Sequence, residues 1–267
     1  MYDRKWIISR TAQVLRQLPQ LEDLTLAMFE NLEAFGHLVK CVSKLHNLRK
    51  LRFSFYYSRP GVGADYRSSR VNAIGKIIAA NPNLKHLEVD QNWEASNLDF
   101  ERMLKYVPAD RPLKLEHIDL SHSCWNLAAL IPHSRSLTSI CIRDYRFLKY
   151  LLRNSIFPPT MEIKGIDHRA IEYLDRHPQI VSLTFFQYDD ERGAIMEILS
   201  RHSTTLTHFG TTFWYFSHCI NHTAEGEPAL LKCTNLQQLV IYFPKVTDIT
   251  PEMVSLAPKA NRGHVFI

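Results

Sequence analysis

Two short segments, His86-Leu87-Glu88-Val89-Asp90 and His117-Ile118-Asp119-Leu120, alternate imidazoles and carboxylates with apolar residues. On an extended strand such alternation puts the polar members on one face and the apolar members on the other. If the two strands lie side by side, His86 stands beside His117 and Glu88 beside Asp119, about 4.8 Å apart. Two imidazoles with two or three carboxylates are a donor set for a divalent metal, or an acid-base pair. The same residues also read as an acidic landing patch for a segment bearing Lys or Arg. A third reading makes them solvated charges paired with Arg52 on the strand before and Arg143 on the strand after. No residue that would orient the imidazoles can be named, which weighs against metal chemistry.

Other chemistry is sparse. His218-x-x-x-His222 with Cys219 has i,i+4 spacing, but one pair of ligands is a thin basis for zinc. The chain contains no G-x-S-x-G, no phosphate-cradling glycine loop and no H-E-x-x-H. The expectation is a non-catalytic protein without a cofactor.

Composition narrows the partners. The 267 residues are 45% hydrophobic and 22% charged, enough for one large soluble repeat domain. A net charge of +5, set against 32 basic and 27 acidic residues, describes a mixed surface and not a nucleic-acid-binding one. Five irregularly spaced cysteines point to reduced thiols and a cytoplasmic or nuclear location. The first ten residues hold only a two-residue aliphatic run, too short for a signal peptide, and no stretch reaches the length of a membrane span.

The elements that would position these residues follow from a recurring spacing. Leu84, Leu87, Val89 and Asn92 spell L-x-x-L-x-L-x-x-N. The core of that pattern returns at Leu21/Leu24/Leu26, Leu48/Leu51/Phe53, Leu115/Ile118/Leu120, Leu137/Ile140/Ile142, Pro158/Met161/Ile163, Ile180/Leu183/Phe185, Leu206/Phe209/Thr211 and Leu236/Leu239/Ile241. This resembles a leucine-rich repeat array of about nine irregular units: an α/β solenoid with a curved parallel sheet on its concave side and helices on its convex side. One unit cannot bury its own apolar face, so the units must stack on a shared core. The reading gives one domain over 1–267, with an N-terminal helix within 1–20, repeats over 21–261 and a terminal strand within 262–267, where Val265 and Ile267 take core slots. Helices are expected at 30–44, 68–80 and 190–201, with shorter ones in the central repeats. No polar cap follows the last strand, so either the chain belongs to a longer protein, or that strand is the cap, or a partner covers it.

Reading outward positions strand by strand gives the concave surface. It runs through Lys50 and Arg52, then His86, Glu88 and Asp90, then His117 and Asp119, then Arg143, and ends on Phe186 and Tyr242. Two loops should extend it, residues 56–65 and an aromatic one carrying Trp214 and Tyr215. In the ninth template position Phe29, Tyr56, Tyr145, Tyr188 and Trp214 replace the usual asparagine, so aromatic packing is expected to close those turns.

These units, the helices between them, and Cys41 and Cys233 just before repeat leucines resemble the repeat region of fungal F-box proteins. That resemblance implies a solenoid that holds substrates for a cullin-RING ubiquitin ligase. Leu18-Pro19, Met28-Phe29 and Leu32 echo the start of an F-box, while Leu21/Leu24/Leu26 assigns the same stretch to a repeat strand. The alternatives are a free-standing scaffold or inhibitor, and a metal-dependent enzyme centred on His86, Glu88, His117 and Asp119.

Overall fold

The computed structural model describes residues 10–11, 13–15, 17–29, 42–56, 64–91, 98–120, 124–143, 145–165, 167–186, 192–212, 229–242 and 264–266. They fall into two compact units, Met1–Leu137 and Thr138–Ile267.

In the first unit, alternating apolar residues build strands β1 (Asp23–Phe29), β2 (Lys50–Tyr56) and β3 (His86–Gln91). Helix α1 (Ala64–Ala80) connects the last two. A short strand β4 (Leu98–Asp99) and helix α2 (Phe100–Leu104) lead to β5 (His117–Leu120), followed by β6 (Cys124–Trp125) and a 3-10 helix over Leu127–His133. Strands β1, β2, β3 and β5 pair in that order, all parallel, and β4 pairs with β6 in a separate parallel ladder. The register aligns the repeat positions: Leu24 faces Leu51, Leu51 faces Leu87, and Leu87 faces Ile118. All four are buried, so the inward halves of the strands share one core.

The second unit repeats the plan with shorter connections. Strand β7 (Ser139–Ile142), helix α3 (Arg146–Arg153), β8 (Thr160–Ile163), α4 (His168–Arg176), β9 (Ser182–Phe185), α5 (Arg192–Arg201) and β10 (His208–Thr212) follow one another. A 3-10 turn at Ala229–Lys232, β11 (Gln238–Tyr242) and β12 (His264–Phe266) complete it. Strands β7 to β12 pair in chain order, and the pairings β7 with β8, β8 with β9, β9 with β10, β10 with β11 and β11 with β12 are all parallel. Met161 faces Leu183, Leu183 faces Phe209, and Phe209 faces Leu239, again all buried. Asp167 caps α4 by accepting hydrogen bonds from the Arg169 and Ala170 amides at 2.9 and 3.0 Å.

The chain is thus an α/β protein of parallel strands alternating with helices, the architecture of a leucine-rich-repeat-like solenoid. Every strand expected from the repeat spacing is present, including the one at Val265. The helices expected at 68–80 and 190–201 are α1 and α5; most of 30–44 lies outside the described residues. Residues 10, 11 and 13–15 are helical, within the expected N-terminal helix. The β4–β6 ladder and the first 3-10 helix were not expected, since two-residue strands carry no periodic signal.

A column of buried side chains lines the turns from helix to strand, and several of its members bond to the backbone of a neighbouring repeat. Three residues before the first core position of their repeats stand Asn81, Ser134, His177 and Cys233, all buried. Asn81 donates to the Ile77 carbonyl at 2.8 Å and accepts from the Leu48 amide of the preceding repeat, also at 2.8 Å. His177 meets the Pro158 carbonyl of the preceding repeat at 3.0 Å through Nε2 and accepts from the Gln179 amide at Nδ1, 3.2 Å. A carbonyl can only accept, so the Nε2 proton is fixed and the ring is neutral. One residue earlier in their repeats, His133 accepts from the Leu113 amide at 2.9 Å and His202 meets the Leu174 carbonyl at 3.3 Å. The Leu48 and Leu113 amides and the Pro158 carbonyl thereby gain partners that the turn from helix to strand does not supply, whereas the Leu174 carbonyl also accepts from the His177 amide.

Candidate protein-interaction surface

The outward halves of the strands place the sequence-derived candidates in rows. In the first unit Lys50 is in register with His86, Arg52 with Glu88, His86 with His117, and Glu88 with Asp119. The His86 and His117 rings lie 5.7 Å apart at 30°. The neighbouring strands that the alternation called for are therefore adjacent.

The charges in these rows largely answer one another. Glu88 Oε1 lies 2.8 Å from the Lys50 ammonium and Oε2 lies 3.5 Å from Arg52 Nε. The Glu88 side chain is only 12% exposed, against 39% and 44% for its two cations. The hydrogen bond to Glu88 raises the Lys50 pKa, which favours the charged pair. Burial holds the His117 imidazole below its ordinary value, opposed by the Glu88 charge. At one side of the cluster Lys85 Nζ meets Glu116 Oε1 at 2.6 Å. Asp119 differs: its Oδ1 is buried without a hydrogen-bond partner. Among the described residues no three His, Cys, Asp or Glu side chains are arranged to hold a metal ion. Asp90 stands in register with Ser54, and its side chain is outside the described residues. Glu88 is thus compensated, by Arg52 as the surface reading anticipated and by Lys50 as well, while Asp119 has no such partner among the described residues.

The second unit presents a different surface. Arg143 and Lys164 follow the ends of β7 and β8, and Phe186 follows the end of β9. The ladder continues through them, with the Lys164 amide on the Ile142 carbonyl at 2.9 Å and the Phe186 amide on the Ile163 carbonyl at 3.2 Å. Arg143, Lys164, Phe186, Thr212 and Tyr242 therefore form one outward row, with Thr212 and Tyr242 paired directly. Phe186 and Tyr242 reach across Thr212 to bring their rings within 4.6 Å at 50°. Tyr242 remains 40% exposed. Its phenol pKa is raised by partial burial and then by the Glu162 charge.

Below this row lie Cys141, Glu162, Thr184, Gly210 and Val240, in strand order. Glu162 Oε1 accepts from the Cys141 thiol at 3.2 Å and lies 3.7 Å from Lys164 Nζ. Gly210 is required by close approach, because a Cβ there would sit 2.7 Å from Thr184 Oγ1. Thr184 thus packs over Gly210 and buries it beside the Phe186–Tyr242 pair. Arg143 is exposed and has no ion-pair partner among the described residues.

Sequence reasoning found Arg143, Phe186 and Tyr242 and left Lys164 and Gly210 out of the site. Their row positions were the available signal, since both lie on outward slots of the repeat. Trp214 and Tyr215, like His218, Cys219 and His222, lie outside the described residues. Among the described residues, Cys124, Cys141 and Cys233 are free thiols, and no helix is long and apolar enough to cross a membrane. Compared with models of known families and with curated proteins, the sequence matches none.

Proposed function

We propose that the chain is a non-catalytic protein-binding solenoid, the substrate-recognition region of an F-box-type ubiquitin ligase receptor. The observation that carries the binding part is the outward row of the second unit, where an exposed Tyr242 packs at a tilt against Phe186 in the same row as Arg143 and Lys164. Aromatic residues and arginine at one solvent-facing spot on a rigid sheet are the usual anchors of protein recognition. The ligase part rests on the resemblance of the repeats to those of F-box proteins.

One observation favours a second reading, a free-standing scaffold or inhibitor. Met28 and Phe29, which echo an F-box start, belong to strand β1 and pair with Phe55 and Tyr56. Residues used in a repeat strand cannot at the same time form the helices of an F-box. The metal-dependent reading is not carried further, because the described donors do not gather three ligands.

Affinity capture of the tagged native-length chain from its own cells separates the two readings. Recovery of a cullin and its adaptor subunit is the expected result. One stoichiometric partner without ligase components would replace it with the scaffold reading.

A further inference from the structure

We infer that the outward row of the second unit is a docking strip for an extended protein segment carrying an acidic residue three to four positions from a large apolar one. The inference rests on the protein-binding reading and names the chemistry of the partner. Charge complementarity selects it. On the outward positions of strands β7 to β11 the formal charges are Arg143, Lys164 and Glu162, two positive and one negative. Glu162 is occupied, accepting from the Cys141 thiol and facing Lys164. Its pairing with Lys164 is long at 3.7 Å and only half-buried, so it can exchange partners at modest cost. Arg143 has no ion-pair partner among the described residues, so an incoming carboxylate meets two cations on neighbouring strands, about 4.8 Å apart.

The apolar half of the strip is the Phe186–Tyr242 shelf, whose ring pair bridges β10. From midway between β7 and β8 to above β10 is two and a half strand spacings, about 12 Å, which three to four residues of extended chain cover. Between the two halves lies β9, whose Thr184 packs over Gly210 of β10, so the segment crosses a small polar side chain there. A nucleic acid would also offer anions beside stacking surfaces. Two cations on a chain with nearly balanced charge make a short acidic stretch the better match.

Selection of a random-peptide display library on the immobilised native-length chain tests the inference, with single-stranded oligothymidine as competitor in a parallel arm. Enriched peptides should join Asp or Glu to an aromatic or aliphatic residue at the stated distance. A synthetic copy should bind about tenfold more weakly to Arg143→Glu and to Tyr242→Ser, and within about twofold of the parent to Arg143→Lys. Arg143 is exposed, so that variant keeps the test open even if Tyr242→Ser unfolds. Enrichment of basic peptides, or of acidic ones indifferent to Arg143→Glu, overturns the inference and leaves protein binding standing. Displacement by the oligothymidine overturns it in favour of nucleic acid. No enriched sequence at all counts against both the strip and the binding reading.

Discussion

His177 sits 3.0 Å from the Pro158 carbonyl of the repeat before it, with its other ring nitrogen accepting from the Gln179 amide. Around the ring stand Phe157, Tyr173 and His202, at centroid distances of 5.3, 5.7 and 6.2 Å. His202 in turn feels the charges of Arg201 and Asp175, which pair with each other. Burial pushes the His177 pKa down to about 4, with the proximity of His202 adding to the shift and the Pro158 hydrogen bond opposing it. The folded state therefore favours the neutral ring, whereas an unfolded chain titrates near 6.5. Its stabilisation is complete above pH 6.5 and is lost as pH falls toward 4, a loss of about 3 kcal/mol. Urea melts across that range should show the decline. His177→Gln, which removes the titration, should flatten it, and an unchanged slope would discount the neutral-ring assignment.

Asn81 bridges two repeats with both ends of its amide. Asn81→Ala leaves the buried Leu48 amide unpaired and should cost about 2 to 3 kcal/mol in denaturant melts. A near-neutral result would mean that water replaces the amide.

Thr211 occupies a core slot that neighbouring strands fill with Phe185 and Ile241. It is fully buried and its hydroxyl has no hydrogen-bond partner. Thr211→Val keeps the shape and removes the orphan group, and should stabilise the fold by about 1 kcal/mol. A loss of stability would point to a partner for the hydroxyl.

Leu87 is fully buried between Leu51 and Ile118. Leu87→Ala should cost about 2 to 5 kcal/mol, the range for a large-to-small change in a packed core. Calorimetry of the variant checks both the magnitude and the register.

Glu88 was read from sequence as a solvent-facing charge open to a partner. Its two internal cations and 12% exposure change what Glu88→Lys should do. Three cations on adjacent rungs should lower stability by about 1 to 2 kcal/mol, less at high salt. Melts in low and high salt would reveal it. Loss of partner capture by this variant would consequently report on folding as well as on contact.

The strands were legible because a two-residue alternation inside a repeating frame is redundant: an error at Leu84 would be corrected by Leu48 and Leu115. The same frame placed His86 beside His117 and Phe186 in the row of Tyr242. What escaped was whatever depends on distance across repeats and not on spacing within one. The pairing of Glu88 with Lys50, and not with Arg52 alone, depends on side-chain reach. The roles of Asn81, His177 and His202 depend on which backbone groups the helix-to-strand turn leaves unpaired, a debt visible only once neighbouring repeats are stacked. The common position of Asn81, Ser134, His177 and Cys233, three residues before the core, was in the text all along; only its meaning was missing.

The direction of those stitches has a consequence for biosynthesis. Asn81, His133, His177 and His202 each reach back to the backbone of an earlier repeat. A ribosome releases the earlier repeat first, so the Leu48 and Leu113 amides and the Pro158 carbonyl wait for these side-chain partners until the next repeat emerges. At these junctions a repeat is completed one step late, so a chain stalled just short of one of them holds a turn that only water has closed.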